Sequence, residues 1–234
     1  MLSFDGPGQG SSNIRKIRVT ADNYERAASK AIDWLLTRPE VDGERIGVVG
    51  SSMGSYWSMR LASIDDRVKA VASTAACYAS KRHIFEQSSP RFKQVFMYMA
   101  GISDEAIFDA MASTMHLDGH AAKITAPCLM LVGEFDPLSP LDESLDIFEQ
   151  LRGPKEIMVL ENDFHGSGRA PGTNMSNFAG LTTFPIMCDW IRDELTGERP
   201  HTGARQILVP QGRGVGPYGP DVTGYSLRER SQTA

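Results

Sequence analysis

The chain has 234 residues, a formal net charge of −5, 41% hydrophobic residues and 23% charged residues. This composition is typical of a folded globular protein, and the length is sufficient for one large buried core. The sequence contains no block of Lys and Arg and no apolar run approaching about 20 residues, which argues against nucleic acid and a membrane as partners. The first residues lack the basic and apolar regions of a signal peptide, so we expect a cytoplasmic protein.

The three cysteines, Cys77, Cys128 and Cys188, are widely spaced and flanked by apolar residues. An odd number of cysteines without a CxxC motif is typical of reduced thiols in a cytoplasmic protein. We therefore expect each cysteine to be a small buried side chain, and not a nucleophile or a metal ligand.

Short apolar runs alternate with segments of helical spacing along most of the chain. Strands are predicted at residues 2–5, 46–49, 68–72, 127–132 and 156–160, and helices at residues 21–37, 53–63 and 182–195. A glycine-rich turn follows the first predicted strand, at residues 5–10. Continuous apolar runs are typical of strands that are buried on both faces. The pattern predicts an α/β protein whose mostly parallel sheet is covered by helices on both faces.

Two segments interrupt this alternation. Residues 77–124 are rich in Met and aromatic residues and show helical spacing without a convincing strand, so we interpret them as a helical insertion that caps the sheet. Residues 197–234 are rich in Gly, Pro and Arg, which predicts an extended or disordered tail. The predicted core therefore consists of residues 1–76 and 125–196.

Residues 50–54 (GSSMG) match the pattern G-x-S-x-G, directly after a predicted strand and before a predicted helix. This strand–turn–helix context is that of a nucleophile elbow, and it predicts Ser52 as the nucleophile. The N–H of Met53, at the positive end of the helix, is the predicted donor to an oxyanion. We expect Gly50 and Gly54 to prevent collisions with neighbouring elements. The alternative interpretation is a Ser/Gly loop that only caps a helix.

A serine hydroxyl needs a base to become a nucleophile, and the base must be one of five histidines. His165 follows the predicted strand 156–160, so it lies at the same edge of a parallel sheet as Ser52. We predict His165 as the base. The other histidines are expected to face solvent or substrate: His83, His116, His120 and His201.

Besides the serine and the histidine, this chemistry needs a carboxylate that orients the histidine and stabilises the imidazolium. Asp136 follows the predicted strand 127–132, and it produces the chain order Ser, Asp, His that this type of hydrolase requires. Glu134 and Asp163 are the alternatives. Glu134 is closer to the strand, and Asp163 would have to turn back onto its near neighbour His165. We therefore predict Asp136 as the acid.

Several segments resemble a known superfamily. Residues 31–36 (AIDWLL), 38–42 (RPEVD) and 45–54 (RIGVVGSSMG) resemble α/β-hydrolases of the dienelactone hydrolase and prolyl oligopeptidase kind. Residues 3–10 (SFDGPGQG) resemble the turn after the fourth strand in the group of FrsA-like esterases and 2,6-dihydroxypseudooxynicotine hydrolases. The resemblance covers about residues 2–195 and implies an α/β-hydrolase fold whose first three strands are missing.

The same resemblance implies an N-terminally truncated chain, explained by a misplaced start, a fragment or a degenerate homologue. The loop after the third strand normally provides the second N–H of the oxyanion hole. No residue of this sequence is assigned to that role. Loss of one such donor costs about 3–4 kcal/mol in the transition state.

Together, the residues and the resemblance predict a serine esterase that works through an acyl-enzyme and needs no metal or organic cofactor. The Met-rich and aromatic insertion favours an apolar or aromatic small-molecule substrate, and the sequence leaves homo-oligomers open. One alternative is hydrolysis of a carbon–carbon bond in a β-diketone-like compound by the same three residues. Another is an inactive truncated fragment with half an oxyanion hole.

Overall fold

The computed structural model describes residues 1–75, 77–78, 80–165, 183–198, 203–209 and 225–226. Its strands form one sheet in the order β1-β2-β3-β4-β5-β6, in which neighbours are parallel except β5 and β6. The strands are β1 (Ile46–Ser51), β2 (Val68–Thr74), β3 (Cys128–Gly133), β4 (Lys155–Leu160), β5 (Ala204–Val209) and β6 (Tyr225–Ser226). The structure therefore confirms the predicted α/β class.

Among the described residues, two helices precede β1 and the others lie between the strands. They are α1 (Gly10–Ile14), α2 (Asn23–Leu35), α3 (Met53–Ala62), α4 (Lys81–Gln87), α5 (Pro90–Ala100), α6 (Glu105–Ser113), α7 (Leu141–Gln150) and α8 (Thr183–Thr196), with a 3-10 turn at Ala121–Lys123. Among the described residues, no helix is long and apolar enough to cross a membrane.

Alternate residues of the central strands belong to two separate cores. In β3, Met130 and Val132 pack into the larger core, whereas Leu129 and Leu131 pack into the smaller one. Helices α2, α3 and α7 contribute to the larger core, and α8 contributes Trp190, which is completely buried, to the smaller one. Since successive side chains of a strand point to opposite faces, this sheet is covered on both sides, as predicted.

Two segments differ from the sequence prediction. Residues 2–5 form no strand: Leu2 and Phe4 are 38% and 39% exposed, and the Phe4 ring lies 6.0 Å from that of Tyr24 on α2. An apolar run forms a strand only where a neighbouring edge accepts its hydrogen bonds. Conversely, residues 204–209 of the predicted tail form β5, which pairs along its whole length with β4. Of the remaining tail, residues 197–198, 203 and 225–226 are described, and the others lie outside the described ranges.

The predicted burial of the cysteines holds for two of the three. Cys77 and Cys128 are completely buried, whereas Cys188 is exposed. Cys188 lies on the outer side of α8, together with the half-exposed Phe184. Apolar neighbours in the sequence do not determine burial on a helix, because residues one position apart point in different directions.

Within its described residues, the predicted insertion is helical and contains no strand; it consists of α4, α5, α6 and the 3-10 turn. Its phenylalanine rings pack against one another, with Phe85 4.9 Å from Phe96 and 5.0 Å from Phe108 between ring centroids. All three side chains are buried in the larger core. Most of the aromatic residues that suggested a substrate surface therefore stabilise the insertion itself.

A buried ion pair joins α2 to α3. Arg60 and Glu25 hydrogen-bond directly, with 6% and 3% of their surfaces exposed. Arg60 also donates to the hydroxyl of Tyr56 at 3.2 Å and to the carbonyl of His116 at 3.4 Å. A buried guanidinium needs such partners because its desolvation is costly. The pair thus connects two core helices with the insertion.

Candidate active site

The three side chains predicted for catalysis all follow strands at one edge of the sheet. Ser52 comes directly after β1, Asp136 follows β3, and His165 follows β4. The carboxyl ends of parallel strands meet at the same edge, where ligand sites of open α/β sheets are formed. The described residues contain no group of three or more His, Cys, Asp or Glu side chains that could hold a metal ion.

Ser52 occupies a strained turn between β1 and α3. Its φ of 53° and ψ of −123° lie in a backbone region that residues other than Gly rarely adopt. The N–H of Ser52 donates to the carbonyl of Thr74 at the end of β2, at 3.0 Å, and its carbonyl accepts from the Ser55 hydroxyl at 2.6 Å. These bonds hold the serine at the sheet edge in the geometry of a nucleophile elbow.

The two glycines of the motif have different importance. A Cβ atom on Gly50 would lie 2.2 Å from the carbonyl oxygen of Gly54, so only glycine fits at position 50. A Cβ atom on Gly54 would meet nothing within 4 Å. The prediction that both glycines prevent collisions is therefore wrong for Gly54, because the crowding arises where β1 passes under the first turn of α3.

A hydrogen-bonded chain connects the three side chains. The Oγ of Ser52 lies 2.9 Å from Nε2 of His165, and Nδ1 of His165 lies 2.7 Å from Oδ2 of Asp136. Asp136 is almost completely buried, and its other oxygen accepts from the N–H of Leu138 at 2.9 Å. A chain of this kind can move the serine proton to the imidazole while the carboxylate stabilises the resulting charge.

The environment of His165 favours its protonated form. Burial alone lowers the pKa of His165, but hydrogen bonds with Asp136 and Cys77 outweigh burial and raise the pKa above the ordinary value. A carboxylate that accepts from Nδ1–H also fixes the tautomer in which Nε2 is free to accept a proton. In its neutral form, His165 can therefore accept the proton of the Ser52 hydroxyl at Nε2.

The other two acidic residues considered for the acid lie in the contact between the loops after β3 and β4. Glu134 accepts from the N–H of Asn162 at 2.9 Å, in the turn that precedes His165. Asp163 is buried, and its carbonyl accepts from the N–H of Phe135 at 2.9 Å. Both residues thus join the loop after β3 to the loop after β4, whereas Asp136 is the carboxylate that the structure brings to the imidazole.

Comparison with known proteins agrees with this fold. Residues 20–185 match the model of the prolyl oligopeptidase family. The chain belongs to this family. It has the α/β-hydrolase fold, and the elbow at Ser52 lies within the matched range.

Proteins similar to this chain include hydrolases and esterases. The 2,6-dihydropseudooxynicotine hydrolase of Paenarthrobacter nicotinovorans is 27% identical over 199 residues, which cover 82% of this chain and 49% of the relative. A solved structure of 2,6-dihydroxy-pseudo-oxynicotine hydrolase matches with a TM-score of 0.69 at 23% identity, covering 86% of this chain and 55% of that chain. An acetyl xylan esterase from Paenibacillus sp. R4 matches with a TM-score of 0.54 at 21% identity, covering 76% and 54%. The chain spans about half the length of these relatives.

The backbone N–H of Met53 lies beside Ser52. Met53 is the first residue of α3, so its N–H has no acceptor within the helix. It adjoins Ser52 at the N-terminal end of a helix, where the backbone dipoles favour negative charge. Met53 thus stands where the sequence predicts the first donor, and the second donor stays unassigned.

Three of the remaining histidines lie in the predicted insertion. Nδ1 of His120 lies 3.0 Å from the hydroxyl of Ser63, and Nδ1 of His116 lies 3.5 Å from a carboxylate oxygen of Asp118. Nε2 of His83 is buried. These three residues are partly buried and not simply solvated, because the insertion packs against the core. His201 lies outside the described residues.

Cys77 is the residue at this site that sequence reasoning missed. Its Sγ lies 3.7 Å from Oγ of Ser52, and it also interacts with His165. The sequence offered one signal, since Cys77 follows a predicted strand at the same sheet edge as Ser52, Asp136 and His165. Its apolar neighbours led instead to the interpretation as core.

Proposed function

We propose that this chain is a serine hydrolase that cleaves an ester or a related acyl bond through an acyl-enzyme. Ser52 attacks the carbonyl carbon while His165 accepts its proton and Asp136 stabilises the imidazolium. His165 then protonates the leaving group, and water repeats the sequence to release the acid. The observation that carries the proposal is the unbroken hydrogen-bonded chain from Ser52 to Asp136, with distances of 2.9 Å and 2.7 Å.

For the substrate, we propose an apolar or aromatic small molecule. Phe135 and Phe164 directly precede Asp136 and His165, and they are 55% and 60% exposed. Their ring centroids lie 6.3 Å apart. Exposed aromatic rings next to a reactive site are a usual contact surface for apolar ligands. The proposed enzyme uses no metal or organic cofactor, since each step needs only the three side chains, backbone donors and water.

A second candidate function is the hydrolysis of a carbon–carbon bond by the same residues. It is supported by the relative named 2,6-dihydropseudooxynicotine hydrolase, whose similarity covers 82% of this chain. Attack on a β-diketone-like compound would release a ketone, whereas ester cleavage releases an alcohol. Mass spectrometry of the products from a matched ester and β-diketone pair distinguishes the two functions.

The test of the proposed function is labelling with a fluorophosphonate, which reacts with activated serines. We expect one adduct, mapped by peptide mass spectrometry to Ser52 and absent from Ser52→Ala. Ser51→Ala is the matched control, because Ser51 is the exposed neighbour in the same motif and should leave labelling unchanged. An adduct on another serine of the folded protein, or no adduct, would contradict the proposal.

A further inference from the structure

Cys77 is a buried thiol in contact with the two residues that transfer the proton in the proposed reaction. Its side chain is completely buried, and Sγ lies 3.7 Å from Oγ of Ser52, within hydrogen-bond range for sulfur. It also raises the pKa of His165. The mechanism given above assigns this thiol no part.

The backbone of Cys77 is held on both sides. Its N–H donates to the hydroxyl of Ser55 at 2.8 Å, and that hydroxyl donates to the carbonyl of Ser52 at 2.6 Å. The carbonyl of Cys77 accepts a hydrogen bond from Nζ of Lys81. The position of the thiol is therefore tied to the same turn that positions the serine.

Lys81, the residue that binds the Cys77 carbonyl, is itself a buried amine. It is completely buried, and its ammonium group lies 4.3 Å from the centroid of the Tyr56 ring on α3. Burial lowers the pKa of Lys81 to about 7. A buried amine needs partners to offset its desolvation, and the Cys77 carbonyl and the Tyr56 ring both serve as such.

The Ser52 hydroxyl has one proton and two lone pairs. When it donates its proton to Nε2 of His165, its oxygen can still accept a hydrogen bond, and the thiol of Cys77 is a donor within reach. After the proton has moved, the imidazolium N–H can donate to the sulfur. We propose that Cys77 is a further catalytic residue, which holds Oγ of Ser52 toward His165 and stabilises the imidazolium. This inference rests on the proposed hydrolase function.

The electrostatics of His165 agree with this role. Asp136 faces the imidazole from the loop after β3, and Cys77 faces it from the loop after β2. Burial lowers the pKa of His165, and both of these groups raise it. Loss of the sulfur acceptor should therefore lower the pKa of His165. A residue that only fills space would leave this pKa unchanged.

The experiment measures the rate of fluorophosphonate labelling of Ser52 between pH 5 and pH 10. At a pH where His165 is neutral in both proteins, Cys77→Ala and Cys77→Val should label about tenfold more slowly than the wild type, the value of one hydrogen bond. The acid limb of their rate profiles should move to lower pH, since His165 must be neutral to act. Cys77→Ser should restore the rate and the profile, because a hydroxyl can donate and accept. Cys77→Val fills the site with an apolar side chain about one methyl group larger than the thiol, so it also reports if the alanine variant, which leaves a cavity, does not fold.

The matched control is Cys128→Ala. Cys128 is also completely buried, but it begins β3 at the opposite end of the sheet, and its thiol donates to the carbonyl of Ala126. It should label at the wild-type rate. Equal slowing in Cys128→Ala, or wild-type rates and profiles in both Cys77→Ala and Cys77→Val, would overturn the role of Cys77. Absence of labelling in the wild-type protein would instead overturn the proposed function.

Discussion

Gly133 and the carbonyl oxygen of Phe164 leave no room for a side chain between them: a Cβ atom on Gly133 would lie 2.2 Å from that oxygen. Gly133 ends β3 shortly before Asp136, and Phe164 directly precedes His165. This contact therefore determines how closely the loop that carries the acid approaches the loop that carries the base.

Gly133→Ala should separate the two loops and lengthen the bond between Asp136 and His165. Because the obstacle is backbone, the methyl group cannot be accommodated by rotation of a side chain. We expect kcat/KM to fall by at least about 100-fold, as is typical of a misplacement of about 1 Å. Turnover of p-nitrophenyl butyrate and the melting temperature measure the effect. Wild-type turnover in this variant would contradict the proposed geometry.

Asp136→Asn should leave the fold intact but lower kcat by about 10⁴, because the histidine is then held in the wrong tautomer. Glu134→Gln should be close to wild type, since the amide oxygen can still accept from the N–H of Asn162, whereas Glu134→Ala loses that acceptor. Steady-state kinetics of the three variants provide the measurement. If Glu134→Gln is inactive and Asp136→Asn is active, the acid is Glu134.

Gly50→Ala and Gly54→Ala should have opposite effects on stability. A methyl group at Gly50 meets the Gly54 carbonyl at 2.2 Å, so we expect little folded protein. A methyl group at Gly54 meets no atom within 4 Å, and Ala is up to about 1 kcal/mol more favourable than Gly in a helix. Urea unfolding compares the free energies of unfolding. Similar destabilisation by both changes would show that the turn is not crowded as described.

Removal of one charge from the buried pair of Glu25 and Arg60 should lower the free energy of unfolding far more than removal of both charges. Arg60→Met leaves the carboxylate of Glu25 buried without its cation, which costs about 3–5 kcal/mol of stability. The double variant Glu25→Leu/Arg60→Met removes both charges and should lie close to wild type. Urea unfolding of the two variants tests this. Equal losses in both would mean that packing of the side chains, not charge, determines the effect.

Protonation of His120 should lower the free energy of unfolding in weak acid. Burial, together with the positive charge of Arg60, lowers the pKa of His120 from 6.5 to about 4. Between these values the unfolded chain binds more protons than the folded chain, so stability is complete above pH 6.5 and decreases as the pH falls toward 4. His120→Asn should flatten the dependence of unfolding free energy on pH in this window. Arg67 lowers the pKa of Asp65 from 3.8 to about 2, so protonation of Asp65 changes the free energy of unfolding only at lower pH.

Local sequence patterns were sufficient for the elements that build this site. The strands β1 to β4 are continuous apolar runs, which a strand buried on both faces requires, and the elbow at Ser52 is encoded within five consecutive residues. The order Ser, Asp, His along the chain follows from the order of the strands. For these features, the physical cause lies in residues that are neighbours in the chain.

The tertiary structure decided the features that depend on pairing between distant segments. Residues 2–5 and β5 both contain apolar residues, but only β5 pairs with a neighbouring strand, so the local sequence alone could not distinguish them. Which of three carboxylates reaches His165 depends on the loops after β3 and β4, and the contact between Cys77 and Ser52 joins residues 25 positions apart. Hydrogen bonds of this kind form only when the sheet has brought its strand ends to one edge, and no local pattern of residues records that distance.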